Sequence, residues 1–473
     1  MKNENPQVNL KPFSYVDSST GFIYFNLVPT DFGKFQDRIE TALQFRDLDR
    51  DRYGQELREI SAQLLWSEFR NIFFHEWHHF LQSIFYPYRY LQSWRELSVT
   101  FSVLSYLRES EDFLQIGHLD ISESWRNTLI YPVMLIGIDI ENERLKPVLN
   151  RDPSDLRATD FTITDLIEEA TSIFEFKFEI DAEGDGQLYQ KWLRTRKIDK
   201  KTTYSNVFRL LSKLMGNKSA YIALPALVYA SFCTTWPDVT FVSLVNYTLS
   251  NKNNLNPEEL GCDSYYLVLC SMLSKPFFAK VGQAPNPESP TEEDEYYFLD
   301  LDAYESLVIS TPKHTINHYA SRFIELAKSN CKFQTILFHP YDLNVQELLS
   351  EIFFPALIHF RIYHEKLKVR DSIFVASPTI GEMAVPILGD VSYSEYWREV
   401  MKRKDVAYSL ITDLNNYLEH TCHHYDCPYY QANVCRRWSA IPENWENCPF
   451  PSWFRAATNR NIDLVSGELL KIH

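Results

Sequence analysis

The sequence predicts a mainly α-helical (α+β) protein, and three features carry that expectation. Gly is scarce, at 13 of 473 residues, and Pro contributes only 23, so helix breakers are few. Apolar residues recur at three- and four-residue steps through most of the chain, which is the helical period. Hydrophobic residues make up 45% and aromatics 15%, far more burial than a disordered chain offers against its ordering entropy.

Taken in order, residues 1–30 form an N-terminal β element around the run GFIYFNLV at 21–28, which Pro29 ends. Residues 31–180 form a helical core, in which Ile60, Leu64, Phe69, Ile72 and Phe80 keep helical spacing until Tyr86-Pro87 stops the segment. Periodic stretches at 124–145 and 162–180 continue it. A weak break at 181–187 opens a helical region over 181–281, with stretches at 202–215, 220–250 and 256–274. An acidic, Pro-rich linker follows at 282–299, where 282–295 (GQAPNPESPTEEDE) has almost no apolar residue. The 300–395 region reads as helix at 315–330 and 343–364, with short strands within 372–390. A Cys-rich segment closes the chain at 396–473.

Charge and cysteine usage bound the function. Lys and Arg number 47 against 63 Asp and Glu, and the net charge of −16 gives no general attraction to nucleic acid or anionic membranes. No secretory signal is visible in MKNENPQVNLKPFSY, and the apolar run at 221–233 is too short to span a bilayer and carries Pro225. A cytoplasmic protein is expected. Eight cysteines in so long a chain are too sparse for a disulfide scaffold.

The motif with chemical content is His75-Glu76-Trp77-His78-His79, an H-E-x-x-H string inside the strongest helical pattern. Positions four apart share a helix face, so His75 and His79 can present two nitrogens to one Zn²⁺. Glu76 leans toward the same space without binding the ion, as a general base must. The stripe Leu65, Phe69, Ile72, Glu76, His79 points the motif inward. His78 falls off the stripe, at the surface or behind a ligand, and Gln82, one turn beyond His79, is a candidate partner for a histidine or a substrate.

A catalytic zinc takes three protein ligands and a water. FLQSIFYPYRYLQ after His79 contains no His or Asp at the short metzincin spacing, which favours a glutamate. The best segment is 163–179 (ITDLIEEATSIFEFKFE), whose Thr162 and Asp165 have capping-box form. Glu169 shares the apolar stripe of Leu166, Ala170 and Ile173 and is the candidate third ligand, a buried ion pair being the competing account; Glu168 falls among Thr164, Asp165 and Thr171 and is the alternative ligand. Glu175 is a candidate partner for one of the histidines.

On these residues the chain resembles the zincin superfamily of zinc metallopeptidases, in its glutamate-zincin arrangement of an H-E-x-x-H helix followed by a Glu-bearing helix. The resemblance is local, covering about 20 residues around 72–85 and about 12 around 166–177. It implies a zincin-like helical core and hydrolysis of a protein or peptide substrate, with a zinc-activated water and Glu76 as base and then acid. About 90 residues separate Glu169 from His79, longer than in the best-known members.

Cys422, Cys427, Cys435 and Cys448 form a second cluster, C-x4-C-x7-C-x12-C, suited to a structural Zn²⁺ or an iron–sulfur cluster. The alternative to an enzyme is a non-catalytic binding or sensor protein whose metal sits there. His314 and His318 are four apart without an acid partner and read as surface residues; His359 and His364 share no helical face.

Overall fold

The computed structural model describes residues 14–17, 21–27, scattered positions between 37 and 59, 70–94 and 97, 137–141, 144–148, 160–196, 205–274, 298–353 apart from 312, 313 and 315, 357–364 and 369–376. Its contacts divide the chain into two units, Met1–Trp94 with Pro132–Pro378, and Arg95–Tyr131 with Thr379–His473. Of the second unit only Leu97 is described, as a buried helical residue. The four C-terminal cysteines lie outside the described residues, as does the linker up to residue 297. The boundaries expected at 180, 281 and 299 fall inside the first unit.

That unit is mainly helical with a small sheet. β1 (Ser14–Asp17) pairs antiparallel with β2 (Phe22–Leu27) around a turn at Gly21, whose φ of +70° suits glycine. A side chain there would also meet Phe80 and Ile316 at 2.9 Å. β2 continues in parallel to β5 (Leu357–His364), with Ile23 opposite Ile358, and β5 pairs antiparallel with β6 (Val369–Ala376). The order is therefore β1-β2-β5-β6. Parallel neighbours need a crossover, and here the helical body itself makes it. Two helical expectations are corrected. Residues 357–364 are a strand, because Ile358, Phe360 and Ile362 alternate with His359 and Arg361. Residues 137–141 and 144–145 lie in two paired antiparallel strands, β3 (Gly137–Glu141) and β4 (Arg144–Val148). There Ile138 and Ile140 alternate with acids, and the Asn246 side chain pairs with both backbone groups of Leu145 at 2.7 Å.

α1 (Arg70–Phe85) breaks at Tyr86, since the residue before a proline is driven from helical geometry, and helix resumes over 87–94. α2 (Ile163–Ile180) starts on the capping box of Thr162 and Asp165 and ends on Asp181 in the left-handed conformation. α3 (Gly186–Thr195), α4 (Asn206–Met215), α5 (Asn217–Ser231), α6 (Pro237–Ser250) and α7 (Pro257–Leu273) follow, then α8 (Leu301–Ser310), α9 (Asn317–Ser329) and, after a 3₁₀ segment at Phe333–Phe338, α10 (Leu343–Ile352). The stretch read as one periodic run over 220–250 is two helices, split at 232–236 before Pro237. α5 is apolar nearly all round and is the buried axis against which α2, α3, α4, α6 and α7 pack. α1 lies between α2 and the β1–β2 ribbon, which sets both its faces. Among the described residues no helix is long and apolar enough to cross a membrane.

Candidate metal centre

The site lies along the seam of α1 and α2. Helical geometry sends His75, His78, His79 and Gln82 off α1 at steps of three and four, and sends Glu168, Thr171 and Glu175 off α2 in a facing row. The His75 and His79 Nε2 atoms stand 3.3 Å apart. Glu168 straddles them, with Oε2 3.3 Å from His75 Nε2 and Oε1 3.4 Å from His79 Nε2. One ligand atom from each residue lies within 4.8 Å of the other two. Ligands held about 2.0–2.1 Å from a tetrahedral zinc stand about 3.3–3.4 Å from one another, the spacing of the two Nε2 atoms, while the short contacts to Glu168 go to its two different oxygens. The three side chains keep 16%, 10% and 21% of their surface exposed, which leaves solvent and an ion a way in.

The far side of each imidazole determines what the near side offers. His75 Nδ1 lies 3.1 Å from Glu175 Oε2, a carboxylate whose other oxygen accepts from Arg196 at 2.5 Å, and Arg196 also bonds Glu179. An ionised carboxylate only accepts, so His75 carries a proton on Nδ1. His79 Nδ1 faces Gln82 Oε1 at 3.2 Å and Thr171 Oγ1 at 3.3 Å. With both Nδ1 atoms protonated, two Nε2 lone pairs and the Glu168 carboxylate converge on one point. Such a group of bases is repulsive unless a cation, or an added proton, lies among them.

The charge states agree. Burial alone depresses the His75 imidazole, but hydrogen bonds to Glu168 and Glu175 and the nearby charge of Glu76 override it and lift its pKa to about 10. Burial pushes Glu168 up, and the charge of His79 with the close approach of both imidazoles holds it well below the usual carboxylate range. His75 thus takes up a proton where a divalent ion fits. Glu76, beside His75 in the chain, is buried, and its Oε1 accepts a 2.7 Å hydrogen bond from Ser14 on β1.

Glu169 is corrected as a ligand. It is fully buried, as the apolar stripe of α2 predicts, but that stripe faces α4. Its two oxygens accept from the backbone N–H groups of Val207 and Phe208 at 2.6 Å each, satisfying the free donors at the start of α4. Burial pushes its pKa well up, against the pull of those two bonds. Glu168, one residue back, turns toward α1 instead. His78 is fully buried, not at the surface, and burial with the like charge of His79 and His75 holds it well below its ordinary pKa. Its Nδ1 bonds Thr171 Oγ1 at 2.8 Å and its Nε2 the Tyr229 hydroxyl at 2.5 Å.

His314 is also corrected: it is buried, bonds Ser93 Oγ at 2.9 Å through Nε2, and burial pushes its pKa down to about 3. His318 is exposed. Ser14, Arg196, Thr171 and Tyr229 are the contributors that sequence reasoning missed. Thr171 alone had a signal, its place midway in the polar row Glu168, Thr171, Glu175.

No family model matches the chain, no curated protein matches it in sequence, and no solved structure matches its fold.

Proposed function

We propose that this protein is a zinc-dependent metallopeptidase acting on a protein or peptide substrate, with His75, His79 and Glu168 as the ligands. The observation that carries the reading is the convergence of two imidazole nitrogens and the Glu168 carboxylate, with every outer nitrogen held by an acceptor and a further carboxylate, Glu76, following the first ligand in the chain. The H-E-x-x-H helix and the later Glu-bearing helix support the zincin resemblance, with the glutamate moved to residue 168.

A bound zinc ion supplies Lewis acidity at the scissile carbonyl and acidifies a water. The protein does the rest. Ser14 donates to Glu76 Oε1 and anchors the carboxylate that would take the water's proton and return it to the leaving amine. Glu175, fixed by Arg196, and Gln82 keep the imidazole rings aimed inward. Zn²⁺ at the C-terminal cysteines, or an iron–sulfur cluster, is a separate proposal that rests on their spacing alone.

The test is Glu76→Gln in the full chain, assayed for zinc content and for cleavage of an unfolded polypeptide. Retained zinc with cleavage slowed about 10²- to 10⁴-fold is expected. Zinc bound and no cleavage by the wild type across a broad peptide library would overturn the peptidase reading.

A further inference from the structure

We infer that His78, Thr171 and Tyr229 are positioning residues that set the tautomer of His79, and so decide whether its Nε2 is available as a ligand. The starting point is the buried cluster behind the candidate ligands. His78 Nε2 lies 2.5 Å from the Tyr229 hydroxyl, His78 Nδ1 lies 2.8 Å from Thr171 Oγ1, and Thr171 donates to the Ile167 carbonyl at 2.9 Å. Gln82 Nε2 lies 3.3 Å from Thr171 Oγ1, and the Gln82 side chain also hydrogen-bonds Tyr229. Gln82 Oε1 then faces His79 Nδ1 at 3.2 Å.

A neutral imidazole has one N–H, so these contacts admit two directions of donation. In the first, Tyr229 donates to His78 Nε2, His78 Nδ1–H donates to Thr171, Thr171 donates to Ile167, the Gln82 amide donates to Thr171 and Tyr229, and His79 Nδ1–H donates to Gln82 Oε1. Every contact within the cluster then holds a proton, and His79 Nε2 is a lone pair facing His75 Nε2 at 3.3 Å and Glu168 Oε1 at 3.4 Å.

In the second, Thr171 donates to His78, His78 donates to Tyr229, and the Tyr229 proton then needs the Gln82 oxygen as its acceptor, so Gln82 turns over. Its oxygen then faces Thr171 Oγ1 with no proton between them, the Ile167 carbonyl keeps only its helical backbone bond, and the Gln82 NH₂ forces His79 to carry its proton on Nε2. Unpaired buried polar groups disfavour this arrangement, which would also block the ligand position.

The rings that hold this direction are themselves clamped. Phe174 stacks on His78 at 4.2 Å, and Tyr86 and Phe338 stack on Tyr229 at 4.5 and 5.4 Å. The cluster therefore ties α1, α2 and α5 together and presents His79 with Gln82 Oε1 as its acceptor.

The experiment is long-range ¹H–¹⁵N correlation on histidine-labelled, zinc-free full-length protein, followed by zinc titration of the same samples. The affinity arm rests on the metal-centre reading, and the tautomer arm does not. Wild type should show His79 with its proton on Nδ1. Tyr229→Phe should show a mixture with the Nε2–H form and bind zinc about 10- to 100-fold more weakly. Thr171→Val, close in shape, should do the same, and it decides the matter if Tyr229→Phe fails to fold. A folded variant with the His79 tautomer unchanged overturns the inference, even if zinc binds more weakly, because altered packing alone would do that. A wild type that binds no zinc sinks the metal-centre reading, while the tautomer comparison still decides this one.

Discussion

A carboxylate on α2 reaches the histidines only if its Cα–Cβ bond leaves the helix toward α1, and one residue along the chain turns that direction by about 100°. Glu168 and Glu169 differ by that turn, and their substitutions should separate cleanly. Glu168→Ala removes a ligand and should abolish zinc binding with the fold retained. Glu169→Ala should leave the metal site intact while orphaning two buried backbone N–H groups at the start of α4, costing about 1–3 kcal/mol for each in urea unfolding. Loss of zinc from the Glu169 variant alone would reverse the assignment. A second prediction follows from His75, which stays protonated up to about pH 10 without metal. Zinc must displace that proton, so affinity weakens as pH falls, by about tenfold per unit between pH 9 and 7. Calorimetry at pH 8 in buffers of different ionisation enthalpy should register about one proton released per ion. None released would mean that His75 is already neutral.

At the scale of elements, α1 and α2 carry the candidate ligands and the candidate base, and much of that was legible. The period of α1 placed His75, Glu76 and His79 on one helix, and Thr162 with Asp165 marked the start of α2, where both reciprocal bonds of the capping box form. Thr162→Ala should therefore cost about 0.5–2 kcal/mol in thermal or denaturant unfolding. An unchanged midpoint would show that packing alone fixes the end of α2. The candidate third ligand was not legible from burial, because the candidate centre sits at a solvent-touched seam and its glutamate lies beside the apolar stripe, not on it. A better signal was the match between two polar rows, His75, His78, His79, Gln82 and Glu168, Thr171, Glu175, each on a helix otherwise rich in apolar residues. Strands 137–141 and 357–364 were missed because their two-residue alternation is short and adjoins longer apolar stretches.

At the scale of the molecule, the pairing of β2 with β5 joins residues far apart in the chain, with Ile23 opposite Ile358, and no local pattern encodes such a contact. That sheet carries Ser14 to Glu76, so the candidate base depends on long-range topology as well as on its own helix. The most direct test of the whole account is the zinc content per chain of the purified full-length protein, wild type against His75→Ala and Cys427→Ala, by elemental analysis. The account predicts that His75→Ala lowers the content by one ion per chain, whatever the C-terminal cysteines hold, and that Cys427→Ala leaves this ion in place. Equal zinc in wild type and His75→Ala would contradict it.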